Sequence, residues 1–567
     1  MNDIRRTILW VIFGFSMVLL WDQWQVYNGN KATFFPSTAQ PAATVQGSQG
    51  GTGVPSALPA QAGRTPSAAA QLPGGAPAPA ATPKERITVS TDVLRLTFDT
   101  EGGSLVRAEL LKHAADSASD KITSTLVLLE ENSERVYVAQ SGLIGGDFPN
   151  HKTVMTLTGE RELKPGLNEL VVRFESPEKG GVKLVKTYTL LRGSYLTRVK
   201  HEVINTGASA VAPQLYLQLV RGAGTSGGSF ITNPTGTFTG PAVYTEAEKY
   251  QKIEFGDVDK NKAQYQKEAS NGWVAMVQHY FASAWVLPDG IKRENFVRKV
   301  DQLYSVGMIA PLQSLAPGSS QAVQATLFTG PQEEKMLEGV APGLDLVKDY
   351  GIFTILAKPL YWLMDEIHKV LGNWGWSIMA LVLIIKIAFY WLQAKGYESM
   401  AKMKAINPKV MAMRERFKDN PQQMQQEMMK IYKQEKVNPL GGCLPIMVQI
   451  PVFIALYWVL LSSVEMRNAP WIGWIRDLSS PDPFFILPVV MTLTTLLQTA
   501  LNPQPPDPLQ AKLMWFMPLA FSVMFFFFPA GLVLYWITNN VLSIAQQWMI
   551  NTRMGVPPSF NLPKFRT

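Results

Sequence analysis

Cysteine is almost absent: Cys443 is the only one in 567 residues. That excludes an internal disulfide framework and any zinc or iron–sulfur centre built on several cysteines. Histidine is scarce too, with five copies at no metal-ligand spacing and no H-E-x-x-H pair. No G-x-x-x-x-G-K-[ST] run occurs, which excludes a P-loop nucleotide engine. Charged residues are thin at 17%, against 47% hydrophobic. The chain is therefore too apolar for disorder and too poor in charge for an ordinary soluble enzyme. Nothing in these patterns calls for a metal, a cofactor or a nucleotide.

What is present falls into three textures. Arg5 and Arg6 precede an apolar run from Ile8 to Leu20 with no A-x-A-like cleavage site close behind. This reads as an uncleaved signal anchor over 1–29, its amino terminus held in the cytoplasm by the arginines. Residues 30–85 are dominated by Ala, Pro, Gly, Ser, Thr and Gln, a linker composition with too few large apolar groups to offset ordering entropy. From 86 to 340 strands are expected. Leu94, Leu96 and Phe98 alternate with Arg95, Thr97 and Asp99, and further strands are predicted over Val182 to Leu191 and Tyr195 to Ile204. One large β-sandwich or two small ones fit, placed outside the cytoplasm by the anchor. Its histidines, His113, His151, His201 and His279, form no recognisable triad and read as structural.

The last third is membrane sequence. Residues 341–373 include an amphipathic helix expected at the outer membrane–water boundary, with Leu360, Met364 and Ile367 on one face and Asp365, Glu366 and Lys369 on the other. Apolar stretches long enough to cross follow at 374–393, 443–462, 484–500, 513–528 and 531–550, giving six spans with the anchor. The loop 394–442 carries ten Lys/Arg and the loop 463–483 only two. By the positive-inside rule the first is cytoplasmic and the second external, which makes the loop 501–512 and the tail 551–567 cytoplasmic as well. The predicted topology thus puts the β-domain outside the cytoplasm and both termini inside.

Two patterns carry the chemistry. In the basic loop, Met403, Ile406, Val410, Met413 and Phe417 step 3-4-3-4, and Met424, Met428 and Ile431 step 4-3 after a break near Pro421. Two helices folding back on each other are expected, their methionines serving either a plain hairpin core or a surface for varied apolar clients. Inside the spans, Lys386 lies near mid-membrane with no Asp or Glu in any span after 374 to pair it. A central lysine costs about 2.5–3.5 kcal/mol on insertion scales, so it should face protein or water. Tyr390 and Gln393 are expected on its face; Tyr535, Asn539, Ser543 and Gln546 form a polar stripe, with Thr495 and Gln449 on other spans. We read these as a hydrated, cationic cavity rather than interhelical glue alone.

The stretches Gly372-Asn373-Trp374-Gly375-Trp376-Ser377, Pro408 to Arg416, Glu435 to Cys443 and Phe528 to Trp536 resemble the YidC membrane protein insertases, in order and with matching loop lengths. The anchor, linker and β-domain resemble the Gram-negative form of that family. The resemblance implies a non-enzymatic protein of the bacterial inner membrane, with a five-helix insertase core and an all-β supersandwich in the periplasm. It implies a substrate groove at Lys386, Gln449, Thr495, Tyr535 and Asn539, and client-helix contacts at Phe453, Tyr457 and Phe516. Client docking on the hairpin falls to Met403, Met413, Phe417 and Met428. The implied partners are nascent membrane proteins, the Sec translocon, the lipid bilayer, and the ribosome and signal recognition particle receptor through cytoplasmic loops and tail. The family's groove cation is usually arginine, and lysine stands there here. A small-solute transporter and a membrane-tethered carbohydrate enzyme are the competing classes.

Overall fold

The computed structural model describes residues 84–115, 125–222, 237–417, 420–435, 444–502, 508–555 and 560. The expected anchor, nearly all of the linker, Cys443 and most of the tail lie outside these residues. The alternating segment forms the strand Leu94–Asp99, with Leu94, Leu96 and Phe98 fully buried and Arg95 exposed. The predicted Val182 to Leu191 strand is found with those bounds, and the next one runs Leu196–Asn205.

The strands build two nine-stranded sheets. One runs from the edge Arg86–Ser90 through Val136–Ile144, Gln214–Gly222 and Leu303–Pro311 to Glu268–Ala269. The other runs from Lys249–Lys252 through Phe281–Val286, Ser320–Pro331, Leu196–Asn205 and Val182–Leu191 to Thr156–Gly159. Every pairing along the ladders is antiparallel, so one face of each sheet is free to be apolar. Tyr137, Trp273, Trp285 and Phe328 fill the space between them.

From Thr354 on, the described residues form eight α-helices, α1 (Thr354–Leu371), α2 (Trp374–Ala388), α3 (Tyr390–Arg416), α4 (Pro421–Gln434), α5 (Leu444–Ser462), α6 (Ile486–Leu501), α7 (Pro508–Met524) and α8 (Ala530–Arg553). The Asn373 side chain accepts from the Trp376 N–H and caps α2. Gly372, at φ 65°, ends α1 in the left-handed conformation that glycine adopts without a Cβ clash. Pro529 stops the preceding turn and leads directly into α8, which closes the α7–α8 hairpin. Met364, Leu381, Leu456, Met491 and Leu534 form one buried core shared by α1, α2, α5, α6 and α8.

The segment expected as one span over 374–393 is broken. α2 ends at Ala388, and α3 leaves at 69° after the non-helical residue Phe389. Neither proline nor glycine causes the bend. The Gln546 amide of α8 donates to the Tyr390 carbonyl at 3.4 Å, tying α8 to the first residue of α3 beside the bend. Among the described residues no single helix is long and apolar enough to cross a membrane; the bent α2–α3 pair qualifies only together. In α8 the polar stripe itself lowers the hydropathy of an otherwise adequate 24 residues.

Candidate functional site

The polar residues of the helical half converge on one cavity of about 230 Å³ lined by α2, α3, α5, α6 and α8. Lys386 is buried on its wall. Its ammonium donates to Ser543 Oγ at 2.7 Å and, more weakly, to Gln393 Oε1 at 3.4 Å. Ser543 in turn donates to the Asn539 carbonyl at 2.7 Å, which leaves a hydroxyl lone pair facing the cation. From Gln393 the chain continues to Gln449 Oε1 at 3.4 Å, and Gln449 donates to the Tyr535 hydroxyl at 3.2 Å. Every bond points away from the lysine, so the cation heads a chain of aligned dipoles. Lys386 forms no ion pair among the described residues, and this positive charge is satisfied by neutral acceptors alone.

Against that wall lies a second cavity, about 520 Å³, whose lining includes Tyr457, Met491, Phe521, Phe525 and Phe528. Its two aliphatic hydroxyls are used internally, Thr495 donating to the Met491 carbonyl and Ser522 to the Pro518 carbonyl, both at 2.8 Å. Phe453 and Trp536 line both cavities and meet edge to face at 4.8 Å between ring centres. A compartment lined mostly by polar side chains and an apolar one thus share a wall of two rings.

The structure gathers Lys386, Gln449, Tyr535 and Asn539 at the first cavity and Phe453 and Tyr457 at the second. Thr495 lines the apolar cavity instead, held by α6 and by the Asn540 amide at 2.8 Å. Phe516 lines neither and is 62% exposed on the outside of α7. Tyr390 is not in the cavity, because the break at Phe389 resets the helical phase that placed it at i+4. Tyr397 does line it, and nothing in the local pattern marked it.

The basic loop folds as a hairpin of α3 and α4. Ile406 and Val410 are its buried centre, with Met403, Met428 and Ile431 packed against them and Met413 also buried. Phe417 is half-buried, and the broadly exposed methionines are Met411 and Met429. The predicted seam is thus largely occupied by the hairpin's own packing.

The histidines of the β-domain make structural contacts. His151 Nδ1 lies 2.6 Å from the Tyr216 hydroxyl, and His201 Nε2 2.9 Å from Ser141 Oγ. Burial pushes both imidazoles down to about 3, so they are neutral packing groups at ordinary pH. Glu334, Glu338 and Asp345 bring three carboxylates together, but Lys358 sits 2.8 Å from Asp345 and Tyr350 donates to Glu334. A lysine and a hydroxyl take the place a metal would need.

A two-layer β-sandwich followed by a helical unit with a lysine-bearing internal cavity defines a two-part protein. Two family descriptions cover the chain in the same division, a YidC periplasmic domain over residues 86–363 and a 60Kd inner membrane protein domain over residues 366–556. Membrane protein insertases YidC of Cupriavidus necator and Ralstonia nicotianae are 56% and 54% identical to it, each alignment covering 98% of both chains. An active YidC insertase crystal structure with its first transmembrane domain resolved aligns over 82% of this chain and 92% of its own, at 16% identity and a TM-score of 0.38. The chain belongs to the YidC family of membrane protein insertases, inner-membrane proteins with a periplasmic domain.

Proposed function

We propose that this insertase passes the polar flank of a nascent membrane protein through the Lys386 cavity while the adjoining apolar segment settles against Phe453 and Tyr457. The observation carrying this reading is the uncompensated Lys386 ammonium in a polar cavity that shares its wall with an apolar one. Moving charges and peptide groups across about 30 Å of hydrocarbon is costly because they lose water. A hydrated, cationic stop part-way lowers that cost and favours acidic tails. The apolar segment then partitions sideways into lipid, and hydrophobic transfer drives the step without a nucleotide.

The same reading places six spans in the membrane with both termini in the cytoplasm, supported by ten Lys/Arg in the hairpin loop against two in the external one. Client exchange with the Sec translocon takes place beside the cavities, while the ribosome and signal recognition particle receptor dock on the basic loops and tail. On the hairpin, the exposed Met411 and Met429 are better placed to meet a client than the half-buried Met403 and the buried Met413.

The test is a Lys386 series in proteoliposomes, read by protease protection of matched clients with acidic and neutral translocated tails. At an effective dielectric of about 20, unit charges about 6 Å apart interact by nearly 3 kcal/mol, so sign dominates. Lys386→Glu should impair the acidic client most, Lys386→Ala less, and Lys386→Arg least, since guanidinium binds carboxylates bidentately. Equal insertion of the acidic client by all three variants would remove the electrostatic role.

A further inference from the structure

The outer end of α5 is held by the β-domain, at a joint built around a buried lysine. Lys348 follows the β-domain in sequence, and its side chain is fully buried. Its Nζ lies 3.3 Å from each carboxylate oxygen of Glu465, in the turn just beyond α5. The ammonium also sits 3.9 Å from the centre of the Tyr361 ring, while the Tyr361 hydroxyl donates to Glu465 Oε1 at 2.5 Å. One carboxylate is thus shared between the β-domain's tail and helix α1. A second contact is independent of the first: His279 Nε2, from the sandwich itself, donates to the Leu461 carbonyl at 2.9 Å, in the last turn of α5. That carbonyl has no partner within its own helix, so the sandwich supplies a C-cap. The lysine's charge at a helix C-terminus is favourable as well. On either side of Glu465, Val464 belongs to the β-domain core and Met466 to the helical core. The joint is therefore continuous packing with an ion pair at its centre.

α5 is also the helix that supplies Gln449 and Phe453 to the polar cavity and Phe453 and Tyr457 to the apolar one. We propose that Lys348, Glu465 and His279 are positioning residues for insertion: the extracytoplasmic domain sets the seat of α5, and so the shape of both cavities, through this joint. None of the three touches the client. The inference rests on the groove reading only in taking α5 as a cavity wall.

The experiment compares Lys348→Met, Glu465→Gln, the double neutral variant K348M/E465Q and His279→Ala in the full-length protein, reconstituted at equal folded amounts. Two quantities are read, hydrogen exchange of the α5 amides over residues 449–462 and protease-protected client. Each single charge variant strands a buried partner, and its insertion should fall by about tenfold. The double variant leaves no stranded charge; it should fold as well as the parent, insert no worse than either single variant, and still show faster exchange in α5. His279→Ala should speed exchange in the last turn of α5 and lower insertion by a smaller factor. Parent-like exchange in α5 of the double variant would overturn the joint as the seat of that helix. Faster exchange with parent-like insertion would overturn its role in insertion. A Lys386 variant that inserts poorly with unchanged α5 exchange would separate failure of the groove from failure of the joint.

Discussion

Ser543 Oγ stands 2.7 Å from the Lys386 ammonium while donating its own proton to the Asn539 carbonyl, so the hydroxyl can only accept from the cation. The side chain of one helix thereby fixes where the charge of another sits in the cavity. Ser543→Ala should let the ammonium drift toward Gln393. Insertion of acidic-tail clients should drop about 2- to 10-fold, the equivalent of one hydrogen bond of about 0.5–1.5 kcal/mol. Neutral-tail clients should be unaffected, and Ser543→Thr should restore the parent value. A matching loss for both clients in the protease-protection assay would point to a packing defect instead.

The hairpin separates its own core from its surface. Val410→Asp places an unpaired charge at a site 2% exposed, and should unzip α3 from α4. Met411→Asp, one residue away at 51% exposure, should leave the hairpin closed while reducing client crosslinking. Limited proteolysis across residues 390–434, run beside photocrosslinking, distinguishes the two. If Met411→Asp opened the hairpin as readily as Val410→Asp, the assignment of faces would be wrong.

Lys186 gives the β-domain a pH signature. Its Nζ is fully buried and donates to the Gly102 carbonyl at 2.6 Å and the Ser141 carbonyl at 2.7 Å. A neutral amine has the two N–H groups these bonds need; burial pushes the group down to about 7, from 10.5. Above about 7 the unfolded chain binds more protons than the folded one, so the stabilising term grows until about 10.5 and is lost as pH falls back through 7. Protection factors for the strand Val182–Leu191 should therefore rise across that window after correction for intrinsic exchange. Lys186→Met should flatten the rise and lower protection at every pH by stranding two carbonyls. A parent-like pH slope in that variant would assign the effect elsewhere.

Gly375 leaves room for a tryptophan. A Cβ there would stand 2.2 Å from Trp471 Cδ1, and the Asn373 amide donates to the Pro470 and Trp471 carbonyls beside it. Gly375→Ala should expel the indole from the start of α2 and destabilise the helical half by about 1–3 kcal/mol. Thermal unfolding in detergent, with Trp471→Ala as the relieving second change, would measure it. Additive losses in the double variant would contradict the clash.

Short-range features were the legible ones. The alternation at Leu94, Leu96 and Phe98 and the stripe at Tyr535, Asn539 and Ser543 follow the periods of strand and helix, so their faces could be read along the chain. Thr495 shows where that stops. Period put it on a polar face, but which cavity α6 presents it to depends on how neighbouring helices cross. The break at Phe389 has no proline or glycine to announce it, and it removed Tyr390 from the site while keeping Gln393. The methionine seam left two readings open because methionine fills cores and meets clients equally well. Lys348 and Glu465 lie 117 positions apart, and no local pattern links them.

With a client seated as proposed, the shared wall of Phe453 and Trp536 has a consequence for what is recognised. A wholly polar peptide would occupy one compartment and a wholly apolar one the other, each engaging half of the available surface. Only a stretch in which water-loving residues give way to greasy ones within a few positions fills both at once. In that sense the two cavities measure a boundary, the place where a chain stops belonging to water and starts belonging to lipid. Such boundaries occur at the end of every transmembrane segment whatever its sequence, so on the proposed reading a single pair of rings serves clients that share no motif.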